Sequence, residues 1–275
     1  MIHIDLPGAR VPALGLGTWQ IEGEAAREAV EHALRVGYRH IDTAQMYGNE
    51  RAVGEGLRAA DTDRDEVFLT TKIGRDRLRY RDVLHAADES LRRLDTDYVD
   101  LLLIHWPNEG IELQETLDAF QEVQHRQKTK HIGVSNFPPA MLREALKIAP
   151  GLVCDQVEYH PYLDQTELLG EVRERGLFLT AYSPLARGEV LGDAVIREIA
   201  EAHGKTPAQV VLRWLVQQER VAAIPKASGP EHREANIDVF DFALSDDEMA
   251  RLHGLARDDG RILDPAWGPD WEAGA

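Results

Sequence analysis

Cysteine is almost absent: Cys154 is the single one in 275 residues. An internal disulfide is therefore excluded, and so is a multi-cysteine zinc site. A chain of this length buries enough apolar surface to need neither. Its expected setting is a reducing cytoplasm. Long apolar runs are missing as well; Val99–Ile104 is interrupted by Asp100 and is far too short to cross a bilayer. Met1-Ile2-His3-Ile4-Asp5 lacks the basic and apolar patterning of a secretory leader, so a water-soluble protein is expected. Positive charge is scarce: the formal net charge is −17. A surface of that sign repels nucleic acid and anionic membranes, and neither is expected as a partner. Lysine is rarest among the charged residues, with only Lys72, Lys128, Lys130, Lys147, Lys205 and Lys226. Two readings of this acidity stay open, adaptation to high salt and an ordinary arginine-rich acidic surface. Neither a short repeat nor a low-complexity segment is present.

What is present is an alternation of element types. Short apolar, β-branched runs occur at Ala13–Thr18, His40–Asp42, Val67–Thr71, Val99–Ile104, Ile132–Val134, Leu152–Val157, Leu177–Ala181 and Val221–Ile224. Near-continuous apolar runs of this length suit strands covered on both faces. Helical periodicity separates them. Glu24–Val36 sets Ala25, Ala29, Ala33 and Val36 on one face, and Val83–Leu94 does the same with Val83, Ala87, Leu91 and Leu94. Further helices are expected at Glu50–Arg58, Thr116–Val123, Pro138–Ile148, Thr166–Glu174, Val195–His203 and Ala208–Gln217. Ser245 and Glu248 have capping-box spacing for one more.

Eight alternating strands imply a closed parallel (β/α)8 TIM barrel as a single domain over residues 1–275. The alternative, an open doubly wound sheet, is weakened because Gly15-Leu16-Gly17-Thr18-Trp19 stops short of a G-x-G-x-x-G turn. The opening stretch from Ile2 to Gly8 reads as a short β-hairpin that plugs one barrel end.

In such a barrel, function collects at the carboxyl ends of the strands. Those ends carry Trp19, Asp42, Lys72, His105 with Trp106, Ser135 with Asn136, Gln156, Tyr182 with Ser183, and Lys226. Most are awkward in a core, yet all converge on one mouth. Asp42 and Lys72 close adjacent strands, where they pair either as a barrel-end salt bridge or as part of a site. Tyr47 follows Asp42 by five residues, within reach of both. An ammonium beside a phenol favours the phenolate, so Lys72 is expected to lower the Tyr47 pKa and make proton transfer feasible near neutrality. A catalytic metal is not expected. Glu158 and His160 share a strand face, but the first strand end offers no ligand.

The chain resembles the aldo-keto reductases over nearly all its length. The resemblance rests on Leu14-Gly15-Leu16-Gly17-Thr18-Trp19, on the run from Gly37 to Ala44, and on Tyr47-Gly48-Asn49-Glu50. It continues through Leu101–Pro107, Ile132–Phe137, Gln156–Pro161, Tyr182-Ser183-Pro184-Leu185 and Ile224-Pro225-Lys226. The short C-terminus is similar to the prokaryotic branch that includes 2,5-diketo-D-gluconate reductases. The resemblance implies NADP(H) bound in an extended pose, with NAD(H) an alternative, and a monomer that reduces small carbonyl compounds. It implies a catalytic set of Asp42, Tyr47, Lys72 and His105, with Tyr47 as proton donor. It assigns Ser135, Asn136 and Gln156 to the nicotinamide carboxamide and Tyr182 to its ring, with Ser183 and Leu185 beside them. Trp19, Met46, His105 and Trp106 match the substrate pocket.

For the cofactor tail the resemblance points to Lys226, Ser228, Arg233 and Asn236. Here the sequence departs from the family, with His232 at an expected arginine and Ala235 at a glutamate. Arg233 is expected to replace the missing guanidinium. A second departure is the absence of a glycine in Gln124–Lys130, where only a local loop change is expected. Trp267 and Trp271 are expected either to cover the mouth or to pack on the barrel exterior. A cofactor-binding regulatory subunit and a metal hydrolase are the alternative functions, neither supported by a tethering extension or a ligand set.

Overall fold

A computed structural model describes residues 1–271. The expected single domain over 1–275 thus reaches past the described residues. β1 (His3–Leu6) and β2 (Ala9–Pro12) form an antiparallel hairpin, turned at Pro7-Gly8. Eight parallel strands follow: β3 (Leu16–Gly17), β4 (His40–Asp42), β5 (Phe68–Ile73), β6 (Val99–Ile104), β7 (Thr129–Ser135), β8 (Leu152–Glu158), β9 (Phe178–Tyr182) and β10 (Val221–Ala223). They pair in sequence order. Bridges Leu14–Ala223 and Gly17–Lys226 join the first strand to the last and close the barrel. Every apolar run named above overlaps one of these strands.

The helices fall between them: α1 (Gly23–Arg35), α2 (Glu50–Ala59), α3 (Tyr80–Leu94), α4 (Leu113–His125), α5 (Pro139–Ile148), α6 (Thr166–Glu174), α7 (Ala194–His203), α8 (Pro207–Gln217), α9 (Pro230–Ile237) and α10 (Asp246–His253). Their stripes differ in detail from the periodic reading. α1 buries Ala26, Val30 and Leu34 beside Ala29 and Ala33, while Ala25 faces solvent. α10 starts with the expected capping box at Ser245 and Glu248. α9 was not among the periodic segments, because its weak apolar pattern buries only Arg233 and Asn236. In the loop lacking a glycine, Gln127 itself adopts φ 59°, the backbone that glycine supplies without strain.

The interior is layered, and this places the site. One large core lies between strands and helices, built from outward positions such as Leu69, Leu102, Ile104, Val134 and Val157. A smaller core fills the barrel floor, where Ile4, Leu6 and Val11 of the hairpin meet Phe68, Leu101, Leu103, Cys154 and Phe178. Side chains alternate along a strand, so the inward series can be followed upward. Phe68, Thr70 and Lys72 succeed one another on β5, and Cys154, Gln156 and Glu158 on β8. The floor is apolar and the top polar. Among the described residues, no helix is long and apolar enough to cross a membrane.

Candidate active site

Lys72 is wholly buried at the top of the barrel, and its ammonium makes three contacts. It donates to Asp42 Oδ1 at 2.5 Å, to the Thr43 carbonyl at 2.9 Å and to the Tyr47 hydroxyl at 3.3 Å. Gln156 Nε2 donates to the other Asp42 oxygen at 2.8 Å, so the carboxylate is fixed from across the barrel. The His105 ring meets Tyr47 edge-on, with centroids 5.6 Å apart. Asp42, Tyr47, Lys72 and His105 therefore come together as the strand ends suggested.

Burial presses the Lys72 ammonium down, but Asp42 and Tyr47 outweigh it, and its pKa lies above the ordinary lysine value. It stays charged. Burial drives His105 well below the usual histidine range, and Lys72 adds to this. His105 is thus a neutral imidazole, with a buried Nδ1 that has no hydrogen-bond partner among the described residues. The phenol of Tyr47 corrects one expectation. Lys72 does favour its phenolate, but burial exceeds that effect and leaves the Tyr47 pKa raised. Tyr47 therefore keeps its proton at neutral pH.

The loop carrying Tyr47 is held from below. Gln45–Tyr47 forms one 3₁₀ turn that ends at Gly48, φ 68°. Asn49 then ties three segments together, donating to the carbonyls of Thr18 and Ile21 and accepting from Thr43 Oγ1. Glu50 is buried between Thr71 and Arg93. The motif Tyr47-Gly48-Asn49-Glu50 is visible in the sequence, but these bracing roles need the folded contacts.

A cavity of about 680 Å³ opens over this group. Asn136, Gln156, Tyr182, Ser183, Leu185 and Lys226 line one part of it. Asn136 (φ 64°) and Ser183 (φ 47°) both have left-handed backbones, a strain found where a loop must aim side chains. Ser135, Asn136 and Tyr182 form a relay: Tyr182 donates to Asn136 Oδ1 at 2.7 Å, and Asn136 Nδ2 donates to Ser135 Oγ and to the His105 carbonyl. Gln156 lines the cavity while its Nε2 is given to Asp42, which leaves its amide oxygen as the free acceptor. An amide acceptor and an aromatic ring thus share one wall.

Trp19, Met46 and Trp106 line the other part with His105, and Trp267 joins them. Trp267 lies edge-on to Trp106 at 5.2 Å, and Trp271 at 6.2 Å, so the tail tryptophans stand at the mouth. Gln20, Arg187, Leu263 and Pro265 also line the cavity. Periodicity could not single them out, because they lie in loops. The loop at 108–113 does not reach the cavity.

Toward the tail of the groove, Lys226 and Ser228 are exposed and Asn236 is buried. Arg233 is a correction. It is only 4% exposed and donates inward, to the carbonyls of Ala227 and Ser228 and to His32 Nδ1. It shapes the loop that carries Lys226 instead of presenting its guanidinium to a ligand. His232 is exposed beside Glu231. Glu158 and His160 do meet, at 2.8 Å. Among the described residues, no group of three or more His, Cys, Asp or Glu is placed to hold a metal ion.

The aldo/keto reductase family profile matches residues 13–257. Glyoxal reductase of Bacillus subtilis (strain 168) is 42% identical over 257 residues, 92% of this chain and 91% of its own. A crystal structure provisionally named 2,5-diketo-D-gluconic acid reductase B superposes with a TM-score of 0.94 at 45% identity, covering 96% of this chain and 95% of that one. A mutant of Gox0644 in complex with NADPH superposes with a TM-score of 0.88 at 38% identity, covering 93% of each chain. The chain belongs to the aldo/keto reductase family.

Proposed function

We propose that this protein reduces small aldehydes, ketones and α-dicarbonyls, keto sugars included, to alcohols with NADPH, and that Tyr47 is the proton donor. The observation that carries this reading is the part-buried contact of Tyr47 with the buried Lys72, itself paired to Asp42. Glyoxal as a substrate of one relative, and NADPH bound by another, support the choice of substrate class and cofactor.

The residues present fit a nicotinamide cofactor. Gln156 and Asn136 offer amide oxygens to a carboxamide, Tyr182 offers a ring face, and Lys226 offers a cation at the far end of the groove. When bound, NADPH supplies a hydride to the carbonyl carbon. Tyr47 gives its phenolic proton to the carbonyl oxygen as negative charge grows there. Lys72 lies close enough to stabilise the phenolate left behind, and Asp42 holds that ammonium in place. Neutral His105 turns an N–H toward the carbonyl oxygen and orients it without supplying a competing charge. Trp19, Met46, Trp106 and Trp267 keep water from the apolar side.

The experiment is a panel of carbonyl substrates assayed by loss of reduced-nicotinamide absorbance, with NADPH and NADH in parallel. Tyr47→Phe should abolish turnover while NADPH still binds. Turnover retained by that variant refutes the assigned donor, and no turnover by the parent protein refutes the function.

A further inference from the structure

Glu158, at the top of β8, plays no part in the chemistry above, yet it is wholly buried and fully engaged. Its Oε1 accepts from His160 Nε2 at 2.8 Å and from the Ile262 N–H at 2.7 Å, and its Oε2 accepts from the Leu263 N–H at 2.8 Å. Because the carboxylate only accepts, the His160 proton sits on Nε2. Two of the three donors belong to the segment that follows α10. That segment has no ladder of its own between residues 258 and 271. Among the described residues, the two bonds to Glu158 are the only hydrogen bonds joining 262–269 to the barrel.

The approach to this anchor is confined. The Arg257 N–H donates to the Tyr162 carbonyl at 3.1 Å. Gly260 lies so close to that carbonyl that a Cβ would come within 1.8 Å of the oxygen. Beyond the anchor, Leu263, Pro265 and Trp267 enter the cavity wall. Trp267 is held between the Trp106 ring and the Arg75 guanidinium, 4.5 Å from its centroid. Trp271 is fixed by Asp264 at 3.1 Å and by Arg261 at 3.8 Å from its ring. An anchor therefore fastens one end of an aromatic wall whose contacts with the barrel are otherwise made by its rings.

We propose that Glu158 is a positioning residue for substrate choice: by gripping the Ile262 and Leu263 backbone it sets Leu263, Pro265 and Trp267 against the pocket, favouring carbonyl compounds with a flat apolar substituent. The proposal rests on the reductase reading above. Glu158 touches neither Tyr47, Lys72 nor His105, so small carbonyls that do not reach the tail should not sense it.

The test compares phenylglyoxal with methylglyoxal under saturating NADPH. Glu158→Gln presents an amide N–H where an acceptor is needed, so one tail bond is lost. The expected result is a KM for phenylglyoxal raised about ten-fold, with kcat, the methylglyoxal KM and NADPH affinity within two-fold. Trp267→Ala should lower the phenylglyoxal preference to the same degree, and Glu158→Gln added to it should lower it no further. Equal loss on both substrates, an unchanged preference, or additive losses overturn the proposal. If the glutamine variant does not fold, Glu158→Asp withdraws the carboxylate by one methylene while keeping its charge. A loss of preference there supports the anchor, and a preserved preference overturns it. Failure of the unaltered protein to reduce either aldehyde overturns the reductase reading itself, a result separate from any change in preference.

Discussion

Replacing Asp42 by Asn tests the charge arrangement that the chemistry depends on. The amide keeps an oxygen toward Lys72 Nζ and an approximate shape, so the change removes the charge and, at the other end, the acceptor that Gln156 Nε2 uses. The side chains of Lys72 and Asp42 are each only 1% exposed, and they meet at 2.5 Å. Removing one partner of a buried ion pair costs about 3–5 kcal/mol, because the remaining charge is uncompensated. Lys72 has one escape, which is to lose its proton. Buried lysines without a partner titrate as low as about pH 5–6, and at about 1.4 kcal/mol per unit this route costs a similar amount at pH 7. The variant should therefore be about 3–5 kcal/mol less stable at pH 7, a large part of a typical domain stability of about 5–15 kcal/mol.

The pH dependence carries the sharper signature. In the parent, the Lys72 pKa is raised above its unfolded value. Its stabilisation is complete below that value and is lost only as pH rises through the still higher folded one. From pH 7 to 9.5 this group gives no slope. In the variant the folded value is depressed, the unfolded chain binds more protons, and stability rises with pH by up to about 1.4 kcal/mol per unit. Urea unfolding followed by tryptophan fluorescence at several pH values measures both effects. The reasoning fails if the variant matches the parent within about 1 kcal/mol at pH 7, or if its stability does not climb toward pH 9.5. Adding Lys72→Met should remove the climb.

Lys226→Ala should raise the KM for NADPH at least ten-fold and leave that for NADH nearly unchanged, since Lys226 is an exposed cation lining the part of the cavity proposed to take the cofactor, while Arg233 is turned inward; parallel steady-state assays check this. Burial lowers the pKa of His40, His105 and His131. Their depressed folded values mean that stability is intact above about pH 6.5, the unfolded value, and falls as pH drops below it. The Asp155 carboxyl, pushed well up by burial, opposes them in the same window, but three groups outweigh one. Melting temperature measured from pH 8 down to 5.5 should fall; a constant value refutes the assignment. Gly54→Ala should destabilise severely, because its Cβ would meet the Leu94 carbonyl oxygen at 2.2 Å where α2 crosses α3.

The fold and the heart of the site were legible for one shared reason. A parallel barrel buries its strands on both faces, so each strand appears as an apolar run, and the polar residue that ends a run marks the mouth. Asp42, Lys72 and His105 follow that rule. Arg233 was misread because sequence position gives no direction: its guanidinium is taken up by the carbonyls of Ala227 and Ser228. The tail escaped for a different reason. Ile262 and Leu263 bind through backbone N–H groups, which every residue but proline possesses, so no side-chain pattern announces them. α9 was equally silent, since it packs through Arg233 and Asn236 without an apolar stripe.

The raised pKa of Tyr47 sharpens the argument for its role. A proton donor must hold its proton until the carbonyl oxygen acquires charge, and a phenolate already formed at rest would be useless in reduction. Burial secures the resting phenol. Lys72 contributes most once the proton leaves, because an ammonium 3.3 Å away is attracted far more strongly by a phenolate than by a phenol. In the proposed reaction the two opposing influences on one hydroxyl act at different moments: desolvation protects the reactant, and the buried cation stabilises the state in which charge has moved. Fixing that cation is the task of Asp42 and Gln156. For this reason the Asp42 substitution should depress turnover even where the folded protein survives.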